Sequence, residues 1–110
     1  MEQEKQVYFG DFENEADYCN EYGIPDLLGF TVLFAYYYGG GYEGETYDLL
    51  TKDGKLFVNE AGHCSCYGLD GYFDPIETCY EAMKKEIPYI FYNDKDLWQI
   101  CLDRAQRMAV

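Results

Sequence analysis

Basic residues are scarce in this chain of 110: 8 Lys and Arg stand against 21 Asp and Glu, for a formal charge of −13 at pH 7. That balance argues against a partner held through its phosphates, because non-specific nucleic-acid binding needs a surplus of Lys and Arg. An anionic membrane surface is disfavoured on the same ground. Histidine is limited to one residue, His63, so no second imidazole can serve as a catalytic base. Long apolar runs are missing as well. The longest, Phe30 to Tyr38, contains Thr31 and is strand-length, far short of the roughly 20 residues of a membrane span. The opening Met-Glu-Gln-Glu-Lys lacks the basic-then-apolar plan of a signal peptide. A cytosolic location is therefore expected, with the five cysteines (19, 64, 66, 79 and 101) as thiols. Their odd number also argues against a closed disulfide framework.

Apolar material is plentiful: 48% of residues are hydrophobic and 19% aromatic, including 13 Tyr and 7 Phe. An acidic disordered tail would be poor in both. The length fits a single domain over residues 1–110. Charge is uneven along it, with 11 acids and one base over residues 1–51, against 10 acids and 7 bases over 52–110.

Asp11 is a candidate cap for a helix running to about Tyr22, with Gly23 as its stop and Pro25 just beyond. Phe12, Ala16 and Cys19 would face the core, and Glu13, Asp17 and Glu21 would form an acidic stripe on another face. Like charges at that spacing disfavour a helix by a few tenths of a kcal/mol per pair. One further turn is expected at Asp26 to Leu28. Phe30–Tyr38 carries apolar groups on both alternating faces, which suits a strand covered on both sides. Residues 44–51 and 55–60 read as strands joined at Asp53-Gly54, a strong hairpin signal. Residues 62–74 read as a Gly-punctuated loop. Pro75 with Glu77 and Thr78 would open a helix to about Lys85, and Tyr89–Tyr92 would be a short strand or extended link. Asn93 or Asp94 caps a last helix over about 95–108, with Leu97, Trp98, Cys101, Leu102 and Ala105 as its apolar stripe and Arg104 and Arg107 suited to its dipole. The expected fold is α+β: a three-stranded antiparallel sheet (30–38, 44–51, 55–60) with flanking helices on one face or end.

Residues 42–78 carry a distinctive succession of motifs. Tyr42-Glu43-Gly44 is followed by Lys52-Asp53-Gly54-Lys55-Leu56-Phe57-Val58-Asn59, then His63-Cys64-Ser65-Cys66-Tyr67-Gly68-Leu69 and Asp70 to Thr78. This resembles a group of small phage- and prophage-encoded proteins with a hairpin followed by an His-Cys-Ser-Cys-Tyr-Gly-Leu loop. Those proteins usually carry Trp where this chain has Phe73 and a carboxylate where it has Ile76. The resemblance implies a viral or mobile-element origin and no particular reaction.

Several constellations can be weighed for chemistry. His63-Cys64-Ser65-Cys66 offers zinc-type ligands, but Cys-x-Cys is tighter than the usual Cys-x(2–4)-Cys, and a fourth ligand would have to come from Cys79 or Cys101. Small half-buried thiols, with His63 bonded to backbone, are the plainer reading, and no metal or other cofactor is expected. A Cys64–His63 nucleophile pair is disfavoured because neighbours in extended chain point to opposite faces. A carboxylate pair for glycoside hydrolysis would need a cleft that a chain this small rarely provides together with a core. Gly39–Gly44 lacks the Gly-Lys-Ser/Thr ending of a phosphate loop. No enzymatic activity is expected.

Tyr36, Tyr37, Tyr38, Tyr42 and Tyr47 crowd around the Gly-rich connection, with Glu43, Glu45 and Asp48 interleaved. Core packing explains such a group, and so does an interface built on tyrosine anchors. The acid surplus itself reads either as a solvated face or as mimicry of nucleic acid. One acidic helix has a carboxylate every ~6 Å, whereas a DNA duplex has a charge every ~1.7 Å, so mimicry requires several acidic elements to converge. The functional expectation is an anti-CRISPR-type inhibitor of a host defence or nucleic-acid-handling machine. Its partner would be a host protein with a basic nucleic-acid-binding surface, with no direct nucleic-acid or membrane contact. The expected contact residues are Tyr42, Glu43, Glu45 and Asp48, with Glu13, Asp17 and Glu21 steering. The alternative is a small metal-binding or scaffolding module organised by the His63–Cys66 loop.

Overall fold

A computed structural model describes residues 6–39, 43–63 and 68–108. Five strands form one sheet in chain order: β1 (Tyr8–Gly10), β2 (Thr31–Tyr38), β3 (Gly44–Lys52), β4 (Lys55–His63) and β5 (Ile76–Thr78). β1 lies parallel to β2, and all other pairs are antiparallel. The helices are α1 (Glu15–Tyr22), α2 (Tyr80–Met83) and α3 (Lys95–Met108), with a 3-10 turn at Tyr89–Phe91. The three expected strands are the centre of this α+β sheet. The sequence reading missed its two edge strands, each only three residues long.

The hairpin between β3 and β4 turns at Asp53 and Gly54, with φ of 55° and 77°. Both values are positive, as a two-residue turn matched to strand twist requires. Lys52 pairs with Lys55, and the register runs unbroken to Gly44 opposite His63. β2 contains a bulge between Val32 and Phe34. It places Leu33 and Phe34 on the same side of the sheet and leaves Val32, Ala35 and Tyr37 on the other. The bulge re-aims the strand so that both of its faces are filled.

Helices cover both faces, and the expectation of helices on one face or end is corrected accordingly. On the α3 face, Phe34, Tyr47, Leu49 and Leu56 pack against Phe91, Trp98, Cys101 and Ala105. On the α1 face, Val32, Ala35, Tyr37 and Leu50 pack against Phe12, Tyr18, Cys19, Tyr22 and Leu69. A sheet buried on both sides needs apolar residues at successive positions, and the run from Phe34 to Tyr37 supplies them.

α1 begins later than the sequence suggests. Asn14, not Asp11, is the N-cap: its Oδ1 accepts from the Asp17 N–H at 2.8 Å, and Asp17 Oδ2 accepts from the Glu13 N–H at 3.0 Å. The pair resembles a capping box, with Asp17 reaching back to the residue before the N-cap and not to the N-cap itself. Phe12 is buried ahead of the helix and Ala16 is exposed, so the inward positions are Tyr18, Cys19 and Tyr22. Gly23 ends the helix at φ 70°, where an added Cβ would collide with the Asp70 side chain. Asp26–Leu28 forms no helical turn. Residues 76–78, expected in a helix, instead pair with β4, and α2 is a single turn. α3 matches its expected limits, with Asp94 Oδ1 accepting from the Leu97 N–H at 3.2 Å.

Candidate functional site

The end of the sheet where β2 leaves and β3 enters brings together most of the residues expected to act. Tyr38 and Glu45 are cross-strand partners there. Two clefts flank them. One, of about 420 Å³, is lined by Tyr38, Glu43, Glu45 and His63. The other, of about 300 Å³, is lined by Tyr36, Tyr38, Glu45, Tyr89 and Asp94. Tyr38 and Glu45 line both, and among the described residues no Lys or Arg lines either. Tyr38 is 52% and Tyr89 64% exposed, so two aromatic rings stand at this rim available to a partner. Tyr36 packs beside Tyr38 with ring centroids 6.1 Å apart.

The α1 side of the same end is also acidic. Tyr37 O–H and His63 Nε2 lie 2.6 Å apart. Burial raises the Tyr37 hydroxyl above its ordinary value, and the charges of Glu21, Asp11 and Asp17 push it further. Glu21 is likewise raised, first by burial, then by Asp17, with His63 acting in the opposite sense. The Asp11 N–H donates to the Tyr37 carbonyl at 2.9 Å, and the charges of Asp17 and Glu21 act on this side of the sheet end. Glu13 does not belong to a helical stripe with them, since it precedes α1 and its main chain is part of the cap. The His63 ring, expected to bond to backbone, meets the Tyr37 hydroxyl here.

Asp48 is the clearest correction. It was expected on the contact surface and is wholly buried beneath α1. Its Oδ2 accepts from Tyr18 O–H at 2.9 Å, from Tyr22 O–H at 2.6 Å and from Asn59 Nδ2 at 3.4 Å. Tyr22 has one proton and gives it to Asp48, so the Thr46 hydroxyl, 2.7 Å away, donates to the tyrosine oxygen. Asn59 Oδ1 accepts from the Asp74 N–H at 2.6 Å, which ties the β4–β5 loop to the network. Asp48 Oδ1 has no hydrogen-bond partner among the described residues. Burial raises the carboxyl to about 7, against the lowering effect of the tyrosine and asparagine bonds. Near neutrality it is therefore about half protonated. It is part of the core and contributes nothing to an exposed acidic face.

Tyr42 and Cys64, Ser65 and Cys66 lie outside the described residues. Among the described residues no group of three His, Cys, Asp or Glu is placed to hold a metal. Cys19 and Cys101 are buried thiols, both raised above their ordinary value by burial. No described helix is long and apolar enough to cross a membrane.

Sequence reasoning missed Tyr89 and Asp94 as rim residues. Pro88 marks the start of the 3-10 turn that carries Tyr89, but no local pattern says which end of the sheet that turn meets. No protein-family model matches the chain, and neither a curated protein nor a solved structure shows a match.

Proposed function

We propose that the protein works by binding, as a phage-encoded inhibitor of the anti-CRISPR type. In this reading the acidic, tyrosine-bearing end of its sheet enters a basic nucleic-acid-binding channel of a host defence or nucleic-acid-handling protein. The observation that carries the reading is the Tyr38–Glu45 pair, flanked by Glu43, Asp94 and Tyr89 with no described basic residue lining either cleft. Carboxylates here repel phosphate and attract Lys and Arg. Exposed tyrosine rings accept cations on their faces and supply rigid contact area at low entropic cost. Asp11, Asp17 and Glu21 continue the negative potential onto the α1 side and would steer association more than hold the complex.

The partner captured from a host lysate is expected to release its bound nucleic acid when the protein binds. Affinity is expected to fall as salt rises, because screening shortens to about 8 Å at physiological strength. Tyr38→Ala combined with Glu45→Lys should abolish inhibition while the circular dichroism spectrum and melting temperature remain near wild type. Full inhibition by that double variant, or a complex in which the partner keeps its nucleic acid, would overturn the reading.

A further inference from the structure

β4 is nine residues long, but β5 pairs with only three of them, Leu56 to Val58. The pairing stops for a local reason. The Asp74 N–H, which would be next in line, bonds the Asn59 side chain instead of the β4 main chain. Beyond Val58 no described strand pairs with the outer edge of β4. Antiparallel pairing alternates, and the tight turn makes Lys52–Lys55 a hydrogen-bonded pair. Counting from that pair, Asp48–Asn59 and Thr46–Ala61 bond inward to β3. Glu60 and Gly62 turn their N–H and C=O groups outward, and no described strand pairs with them.

A groove of about 740 Å³ lies along this edge, and a smaller one of about 300 Å³ continues it; Glu60 and Pro88 line both. Four carboxylates, Glu60, Asp74, Glu77 and Glu86, line the larger groove, and among the described residues no Lys or Arg lines either. Its apolar lining includes Val58 and Met83, and Ile76 stands 63% exposed at its side. An unpaired strand edge is a template for another strand. In such additions main-chain bonds give affinity, and alternate side chains falling into neighbouring pockets give specificity.

We propose that the outer edge of β4 at Glu60–Gly62 takes an extended, Lys- or Arg-bearing segment of a partner protein as a sixth strand. Its basic side chains would meet the four carboxylates, and its alternate apolar side chains would pack on Val58, Met83 and Ile76. The occupant is assigned by charge: an acidic segment would be repelled, and this chain has too few bases to be its own ligand. The smaller groove shares Glu45 and Tyr89 with the sheet end, but the larger groove lies on the flank of the sheet, and strand addition there does not require the Tyr38–Glu45 end to act as an inhibitor surface.

The test uses a short, terminally blocked peptide alternating Lys and Val, titrated into the isotope-labelled protein. Saturable binding is expected, with the largest shifts and slowed hydrogen exchange at the Glu60 and Gly62 amides. Gly62→Pro removes an outward N–H at an edge position where proline is tolerated. It should weaken binding about tenfold, the worth of one or two hydrogen bonds, whereas Gly62→Ala should bind nearly as wild type. If Gly62→Pro fails to fold, Glu60→Lys with Glu86→Lys, both on exposed side chains, should abolish binding of the same peptide. Equal binding of a backbone N-methylated peptide of the same charge would reduce the effect to non-specific attraction and overturn the proposal. So would wild-type affinity in either variant, absence of saturable binding, or self-association through this edge that Gly62→Pro abolishes.

Discussion

The two faces of the sheet are buried to similar depth by opposite means. On the α3 face the contacts, Arg104 apart, are apolar: Phe91 sits against Phe34, Tyr36, Tyr47 and Trp98 with ring centroids 5.2 to 5.9 Å apart. Such a face is held by area removed from water and by close packing, and neither depends on pH. On the α1 face an aromatic shell of Phe12, Tyr18, Tyr22 and Phe73 surrounds a carboxyl, two phenols, a hydroxyl and an amide. Burial there favours the neutral carboxyl and the bonds to its Oδ2 favour the charged one, with burial the larger effect. One side of the protein is thus held without regard to pH, and the other has a titrating group at its centre.

The largest test of that contrast is on the apolar side. Phe91 is fully buried and touches four other rings. Phe91→Ala is expected to cost about 3–5 kcal/mol, read by urea unfolding, with the same loss at pH 5 and pH 8. A loss that varied strongly with pH would break the division between the faces.

The second test is the pH dependence of the wild type. The folded-state value for Asp48 is raised from 3.8 to about 7, so the folded protein holds this proton more tightly than the unfolded chain. The resulting stabilisation is fully present below about pH 4 and is lost as pH rises through 7. Its slope approaches about 1.4 kcal/mol per pH unit within that window. Glu21, raised in the same direction, adds to the trend. Asp48→Asn removes the titrating group, and its stability should be flatter with pH than that of the wild type. Parallel wild-type and variant curves would show that general charge repulsion, not Asp48, sets the slope.

The smallest effect expected is that of Tyr22→Phe. It deletes the shortest bond to Asp48 Oδ2 and the link to Thr46, while Tyr18 and Asn59 remain. A cost of about 1–2 kcal/mol is expected, with the Asp48 titration moving further up. A neutral effect would mean that α1 is held by its rings alone.

The central strands, the Asp53-Gly54 turn and α3 were legible because each rests on a short-range rule. Alternation, turn chemistry and helical periodicity act within a few residues. The edge strands were not legible, since three residues carry no period and pairing alone defines them. Asp48 was misplaced because its neighbours Glu43 and Glu45 suggested a solvated acidic stretch. Its burial depends on α1, whose Tyr18 is 30 positions away in the chain. A trace of the network was nonetheless available: the hairpin register sets Asn59 opposite Asp48, and Tyr18 and Tyr22 share one face of α1 by their spacing of four. At the sheet end, Glu43 and Glu45 were read correctly as residues near a tyrosine cluster. Tyr89 and Asp94 arrive only through the tertiary fold.

Arg104 has a consequence that extends beyond its own bonds. It is buried on α3, its Nη1 donates to the Leu33 carbonyl at 2.8 Å, and its guanidinium lies over the Phe9 ring. That carbonyl belongs to the bulged residue of β2, where the regular ladder is interrupted. A helix resting on a purely apolar sheet can slide or roll at little cost, because one greasy contact substitutes readily for another. A charged donor matched to one fixed oxygen does not permit that exchange, since a slip of one turn, about 5.4 Å, leaves both groups buried and unmet. The bulge and the arginine therefore act as notch and pin, and they fix the position of α3 along the sheet while the apolar contacts around them supply its adhesion.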